Sequence, residues 1–191
     1  MKVVVGLGNP GKAYEKTRHN VGFDLLDALA SAHGAKIDNR RDRAKTAKIL
    51  LGETPVLLVK PLTFMNLSGE AVSAILEKES VAPESLLVVC DDIHLPVGRM
   101  RLRGNGSSGG QNGLKNIEAR LGTQAWARLR LGVGSPPPGL QIEWVLSRFH
   151  SVDRKVIDDV LIAAQGAVEV WAHEGAEAAM NRFNPLDLRA S

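Results

Sequence analysis

The chain has 191 residues, 44% hydrophobic and 24% charged, with a formal net charge of +3. This composition excludes a disordered chain, and the absence of any apolar run near the roughly 18 residues of a spanning helix excludes a membrane protein. It fits one domain over residues 1–191, and the lone cysteine, Cys90, together with an N-terminus that lacks a signal-peptide pattern, points to the cytoplasm.

Val3, Val4 and Val5 form a β-branched run without polar alternation, which predicts a strand buried on both faces of an α/β sheet. The loop that leaves it carries an amide, a phenol and an imidazole (Asn9, Tyr14, His19), and open α/β sheets hold their ligands at such strand ends. Gly6, Gly8 and Gly11 match G-x-G-x-x-G. Pro10 and the polar run to His19 nevertheless postpone the helix to about Asn20, so the dinucleotide context fails. Val21, Leu25, Leu26, Leu29 and Ala30 then repeat at helical spacing, with Asn20 as the cap and Gly34 as the stop. Residues 36–45 have no clear period and read as an exposed connection or short edge strand. Strands over 46–51 and 55–60 follow, joined as a hairpin at Gly52-Glu53-Thr54.

Thr63 to Ser68 forms another strand-end loop, with Ser68 capping a helix whose stripe is Ala71, Val72, Ile75 and Leu76. Leu86 to Asp92 is a second apolar strand, and it finishes in the carboxylates Asp91 and Asp92. A strand over 99–103 leads to Gly104–Gly113, read as a mobile loop whose amides approach a ligand. Asn112 caps a helix over 114–121, Leu129–Val133 is a strand, and residues 134–139 are a stiff link. A long helix is marked by Val156, Ile157, Val160, Leu161, Ala164, Val168 and Trp171. A short helix and a frayed end follow Gly175.

Arginines cluster by face. Arg99, Arg101 and Arg103 alternate along one strand and Arg128 and Arg130 along another, and Arg40, Arg41, Arg43, Lys45 and Lys48 form a further basic group. A charge run is usually a solvated face, but two one-faced arginine strands favour a polyanion, with nucleic acid first among candidates.

A lone histidine is more often a satisfied surface or core group than a catalyst. His19 gains weight if Asp91 lies beside it, as two adjacent parallel strands ending at one edge allow. One ring nitrogen then bonds the carboxylate while the other takes a proton. His33 and His173, near helix ends, read as structural. Cys90 should face away from Asp91 by strand alternation and belong to the core. Asp91, Asp92 and His94 could hold a metal but lack the helical or finger spacing of a metal motif, so metal is the minor alternative and none is assigned. Gly106-Ser107-Ser108-Gly109-Gly110 matches the G-x-S-x-G nucleophile elbow, but that motif needs a tight strand-to-helix turn, whereas here several loop residues intervene.

Read together, Gly6-Leu-Gly-Asn-Pro-Gly11, Thr17-Arg-His-Asn20, Thr63-Phe-Met-Asn-Leu-Ser-Gly69, Asp91-Asp92 and Gly109-Gly-Gln-Asn-Gly-Leu-Lys115 resemble bacterial peptidyl-tRNA hydrolases over nearly the whole chain. The resemblance implies a single α/β domain with a mixed central sheet and helices on both faces. It also implies a monomer without a cofactor that cleaves the peptide–tRNA ester at the tRNA acceptor stem. Carried over by motif, His19 is the general base and Asp91 its orienting carboxylate. Asn9, Asn66 and Asn112 surround peptide and ester, Tyr14 and Met65 line the cleft, and Arg103 and Arg130 meet tRNA phosphates. Gln111 stands where many members have histidine, and His94 where an acidic residue is frequent. A catalytically silent RNA-binding protein on the same scaffold is the alternative.

Overall fold

The valine run Val3–Val5 sits at the centre of a seven-stranded sheet in the computed structural model, which describes residues 1–189. Strand β1 (Lys2–Gly6) lies between β4 (Thr54–Pro61) and β5 (Leu86–Asp92) and runs parallel to both; β7 (Ala127–Gly132) continues the parallel set beyond β5. Antiparallel strands finish both edges: β3 (Ala44–Leu51) and β2 (Asn39–Arg41) beyond β4, and β6 (Met100–Arg103) beyond β7. The spatial order is β2-β3-β4-β1-β5-β7-β6. Sheet and helices make one mixed α/β domain, as expected.

Alternation along β1 divides the core. Val4 packs with residues of α1 (Val21–Ala32) and α5 (Ser151–Glu174), whereas Val3 and Val5 pack with residues of α2 (Ser68–Glu79) and α3 (Asn112–Leu121). Helices therefore cover both faces, which is why β1 shows no polar alternation. Two glycines let α1 settle against the sheet. A Cβ on Gly6 would lie 2.3 Å from the Gly22 carbonyl oxygen, and one on Gly22 would lie 2.6 Å from that of Val89. The first glycine of the apparent dinucleotide fingerprint thus serves close helix–strand packing.

Local readings change at three helix starts. Asn20 precedes α1 without a side-chain cap bond, because its amide is committed to the Asn9 backbone. Ser68 lies inside α2 and donates to the Met65 carbonyl at 2.7 Å. Helix α3 begins at Asn112, and Gln111 is its cap, with Oε1 accepting from Leu114 N at 2.9 Å. The region after the proline link holds a further short helix, α4 (Gln141–Val145), and α6 (Ala176–Phe183) follows α5. Beyond α6, Asn184 Oδ1 accepts from Leu102 N at 2.7 Å and Nδ2 donates to Leu102 O at 3.0 Å. Its side chain thereby completes the exposed edge of β6.

The basic groups resolve differently from one another. Arg41 pairs with Asp42 and Glu79, and Arg43 with Glu70, so part of the 40–48 cluster is neutralised. Arg99 precedes β6 and donates to the Asn184 carbonyl, leaving Arg101 and Arg103 as the exposed pair on that strand. Across the ladder Arg101 faces Arg130 and Arg103 faces Arg128. Arg128 departs most from the reading of an open charged face. It is buried against the Trp126 ring, 3.7 Å from its centroid, and donates to the carbonyls of Gly106, Gln124 and Trp126. Burial, aided by the neighbouring Arg130 charge, pushes its guanidinium down to about 10. Among the described residues no helix is long and apolar enough to cross a membrane.

Candidate active site

Parallel pairing of β1 with β5 brings their carboxyl ends together, with Gly6 beside Val89. The chain leaving β1 reaches a short 3-10 turn, Arg18–Asn20, immediately before α1, and this turn aims His19 at the end of β5. His19 Nδ1 lies 2.8 Å from Asp91 Oδ2. Asp91 is almost fully buried, and its other oxygen accepts from Gln111 Nε2 at 3.0 Å. Both carboxylate oxygens are therefore engaged, and the imidazole is oriented with Nε2 free to face the cleft.

A cleft of 540 Å³ opens over this pair, lined by Asn9, Phe64, Met65, Asn66, Asn112 and Arg130 among others. Asn9 Oδ1 accepts from Met65 N at 2.8 Å, and its backbone is gripped by the Asn20 amide in both directions, at 2.8 and 2.9 Å. With Oδ1 spent, Nδ2 is the group that Asn9 offers a ligand. Met65 is buried, and its sulfur accepts from Gln111 Nε2 at 3.3 Å. Asn9, Met65, Gln111, Asp91 and His19 form one connected chain across the floor. Asn66 and Asn112 are exposed on the walls, so their amides are available in full.

Tyr14 is the expected lining residue that stands outside the cleft. Its ring packs edge-on against Phe64, with centroids 6.2 Å apart, and Phe64 supplies the wall. Cys90 is fully buried on the face opposite Asp91, and burial pushes its thiol up, so it offers no nucleophile. Ser108 lies in an eight-residue connection between β6 and α3 and is not part of the cleft wall. That connection is tied rather than loose. Arg128 holds the Gly106 carbonyl at 2.7 Å, and Arg130 holds those of Ser107 and Ser108 at 2.8 and 3.1 Å. His33 and His173 bond the carbonyls of Leu29 and Leu51. No group of three metal-ligating side chains occurs among the described residues.

A family model described as peptidyl-tRNA hydrolase matches residues 3–191. The chain belongs to the peptidyl-tRNA hydrolase family. It is 47% identical over 186 residues to a peptidyl-tRNA hydrolase of Chlorobium luteolum, covering 96% of this chain and 98% of that one. A relative from Desulforamulus reducens is 45% identical over 184 residues, covering 96% and 89%. The crystal structure of peptidyl-tRNA hydrolase from Acinetobacter baumannii superposes with a TM-score of 0.93 at 30% identity, covering 98% of this chain and 96% of that one.

Within this family member the motif residues His19, Asp91, Asn9, Met65, Asn66 and Asn112 converge on one cleft, and Arg130 reaches its rim. Arg103 is exposed at the sheet edge and lies outside the cleft lining. Gln141, Ile142, Val145 and Leu146 line the cleft as well, from a segment to which the sequence assigns no element. Gln111 stood out only as a departure from the family pattern, although it touches both Asp91 and the start of α3. Glutamine is not a usual N-cap residue, so the sequence points to Asn112, a preferred cap, in its place.

Proposed function

We propose that this protein hydrolyses the ester joining the peptide to tRNA in peptidyl-tRNA, with His19 as general base. The observation that carries the reading is the His19–Asp91 contact, part-buried in a cleft lined by three asparagines. Asp91 fixes the tautomer so that Nε2 accepts a proton from water, and its charge favours the imidazolium that forms as water attacks the ester carbonyl. The proton then passes to the departing ribose oxygen. Asn9 Nδ2 and the amides of Asn66 and Asn112 offer donors and acceptors to the peptide backbone and to the developing oxyanion. Arg103 and Arg130 supply positive charge beside the cleft for phosphates of the acceptor stem. The enzyme acts as a monomer in the cytoplasm in this reading.

The test is a paired incubation with an N-acylated aminoacyl-tRNA and its free-amino counterpart. Cleavage of the first with the second largely spared is expected, because an uncharged amide fits three neutral asparagines better than an ammonium does. Equal cleavage of both would remove the selectivity, and cleavage of neither would leave an RNA-binding protein.

A further inference from the structure

Arg18 shares the turn of His19, yet its side chain leaves in another direction and is only 1% exposed. Among the described residues no carboxylate lies within ion-pairing distance of it. The guanidinium instead stacks on the Trp144 ring, 3.7 Å from its centroid, with Phe149 at 5.3 Å. Its Nη1 donates to Ser147 Oγ at 2.6 Å, to the Arg148 carbonyl at 3.0 Å and to the Trp144 carbonyl at 3.3 Å. The backbone adds to this, as Arg18 N donates to the Ser147 carbonyl and Thr17 forms an isolated bridge with Arg148. Nε and Nη2 remain buried without partners, and burial lowers the affinity of the group for its proton. Burying a cation this way is costly, and a neutral residue would avoid the cost.

What the cost secures is visible on the other side of the stack. Helix α4 has five residues, none of them buried, and Ile142 is 71% exposed. So short a helix has no stability of its own. Trp144 fastens it through Nε1 to the Gly134 carbonyl at 3.0 Å and through its ring face to Arg18. Helix α4 and the residue after it nevertheless line the same cleft as His19, Met65 and Asn66.

We propose that Arg18 is a positioning residue for substrate binding. It fastens the wall over 140–149 to the turn that carries His19, so that the wall and the base keep a fixed separation across the cleft. The inference rests on the proposed activity for its kinetic part and on the structure alone for its mechanical part. A lysine cannot replace Arg18, since it lacks the flat donor fork that stacks and bonds together.

The experiment attacks the stack from both sides with Arg18→Met, Arg18→Lys, Trp144→Leu and Trp144→Phe. Steady-state kinetics on an N-acylated aminoacyl-tRNA are combined with amide hydrogen exchange of the substrate-free proteins. Arg18→Met, Arg18→Lys and Trp144→Leu should raise KM about tenfold with kcat within about threefold, the pattern of lost ground-state and transition-state binding alike. Exchange should accelerate over 140–148 far more than over 21–32. Trp144→Phe, which keeps an aromatic face, should restore most of the KM. A fall in kcat at unchanged KM would overturn the proposal, since Arg18 would then act on His19. Unchanged exchange over 140–148 in folded variants would overturn it as well. If the parent cleaves no acylated substrate, the proposed function fails, and exchange alone decides whether Arg18 holds the wall.

Discussion

Gln111 joins helix capping to the orientation of Asp91, and two substitutions separate these roles. Gln111→Ala removes the acceptor for Leu114 N at 2.9 Å and the donor to Asp91 Oδ1 at 3.0 Å. A lost N-cap costs about 1 kcal/mol. The bond to the carboxylate is worth roughly 1.5–3 kcal/mol, but the site is half-open to the cleft, so water replaces much of it. The expected stability loss is therefore about 1–2 kcal/mol, with turnover down about tenfold if some 1.4 kcal/mol of that contact serves the transition state. Gln111→Glu keeps an oxygen for Leu114 N and gains roughly 0.3–1 kcal/mol from negative charge at a helix N-terminus. Its second oxygen, however, sets a like charge against Asp91, which disfavours the ionised carboxylate. Gln111→Glu should thus stay within about 1 kcal/mol of the parent in stability and still lose turnover about as much as Gln111→Ala. Urea denaturation and single-turnover hydrolysis of an acylated tRNA measure the two quantities. Parent-like turnover in both variants would refute the coupling of Gln111 to Asp91 and leave only a cap.

Ser108→Ala should hold turnover within about threefold, with no acyl-enzyme in the mass spectrum of a quenched reaction, whereas an elbow serine would lose nearly all activity. Arg103→Ala and Arg130→Ala should each reduce the salt slope of tRNA binding by about one; unchanged slopes would move the RNA surface elsewhere. Burial raises the Asp24 carboxyl above its usual range despite Lys16 at 3.7 Å and Arg154 at 3.0 Å. The native state then keeps this proton to higher pH than the unfolded chain, so the stability from this group, present below the unfolded value, is lost as pH rises through the folded one. Asp24→Asn should accordingly become more favourable to stability, relative to the parent, as pH rises through and above the ordinary carboxylate range in denaturant titrations, and the opposite trend would show the two cations winning.

The parts of this molecule that the sequence disclosed are those with a period. β1 and β5 are continuous apolar runs, and their parallel pairing puts His19 next to Asp91, as adjacent strand ends allow. Alternation placed Cys90 away from the site for the same reason. Alternation also put Arg128 and Arg130 on one face, but it carries no information on burial. Both arginines hold carbonyls of the connection between β6 and α3, and it is the Trp126 ring, two residues before Arg128, that covers the first and leaves the second at the cleft rim. Helix α4 has no buried stripe from which to be read, and its place depends on Arg18, more than 120 residues earlier in the chain. Phe64 lines the cleft where Tyr14 is expected, because the sequence says that both are aromatic, not which ring stands in front of the other.

Single-turnover hydrolysis of an N-acylated aminoacyl-tRNA by His19→Ala tests the central claim most directly. With Asp91 retained and the cleft otherwise intact, the loss of a positioned proton acceptor should lower the rate by about 10²- to 10⁴-fold while tRNA binding stays close to that of the parent. A rate within a few-fold of the parent, in a folded variant that still binds tRNA, would contradict the assignment of His19 as the base.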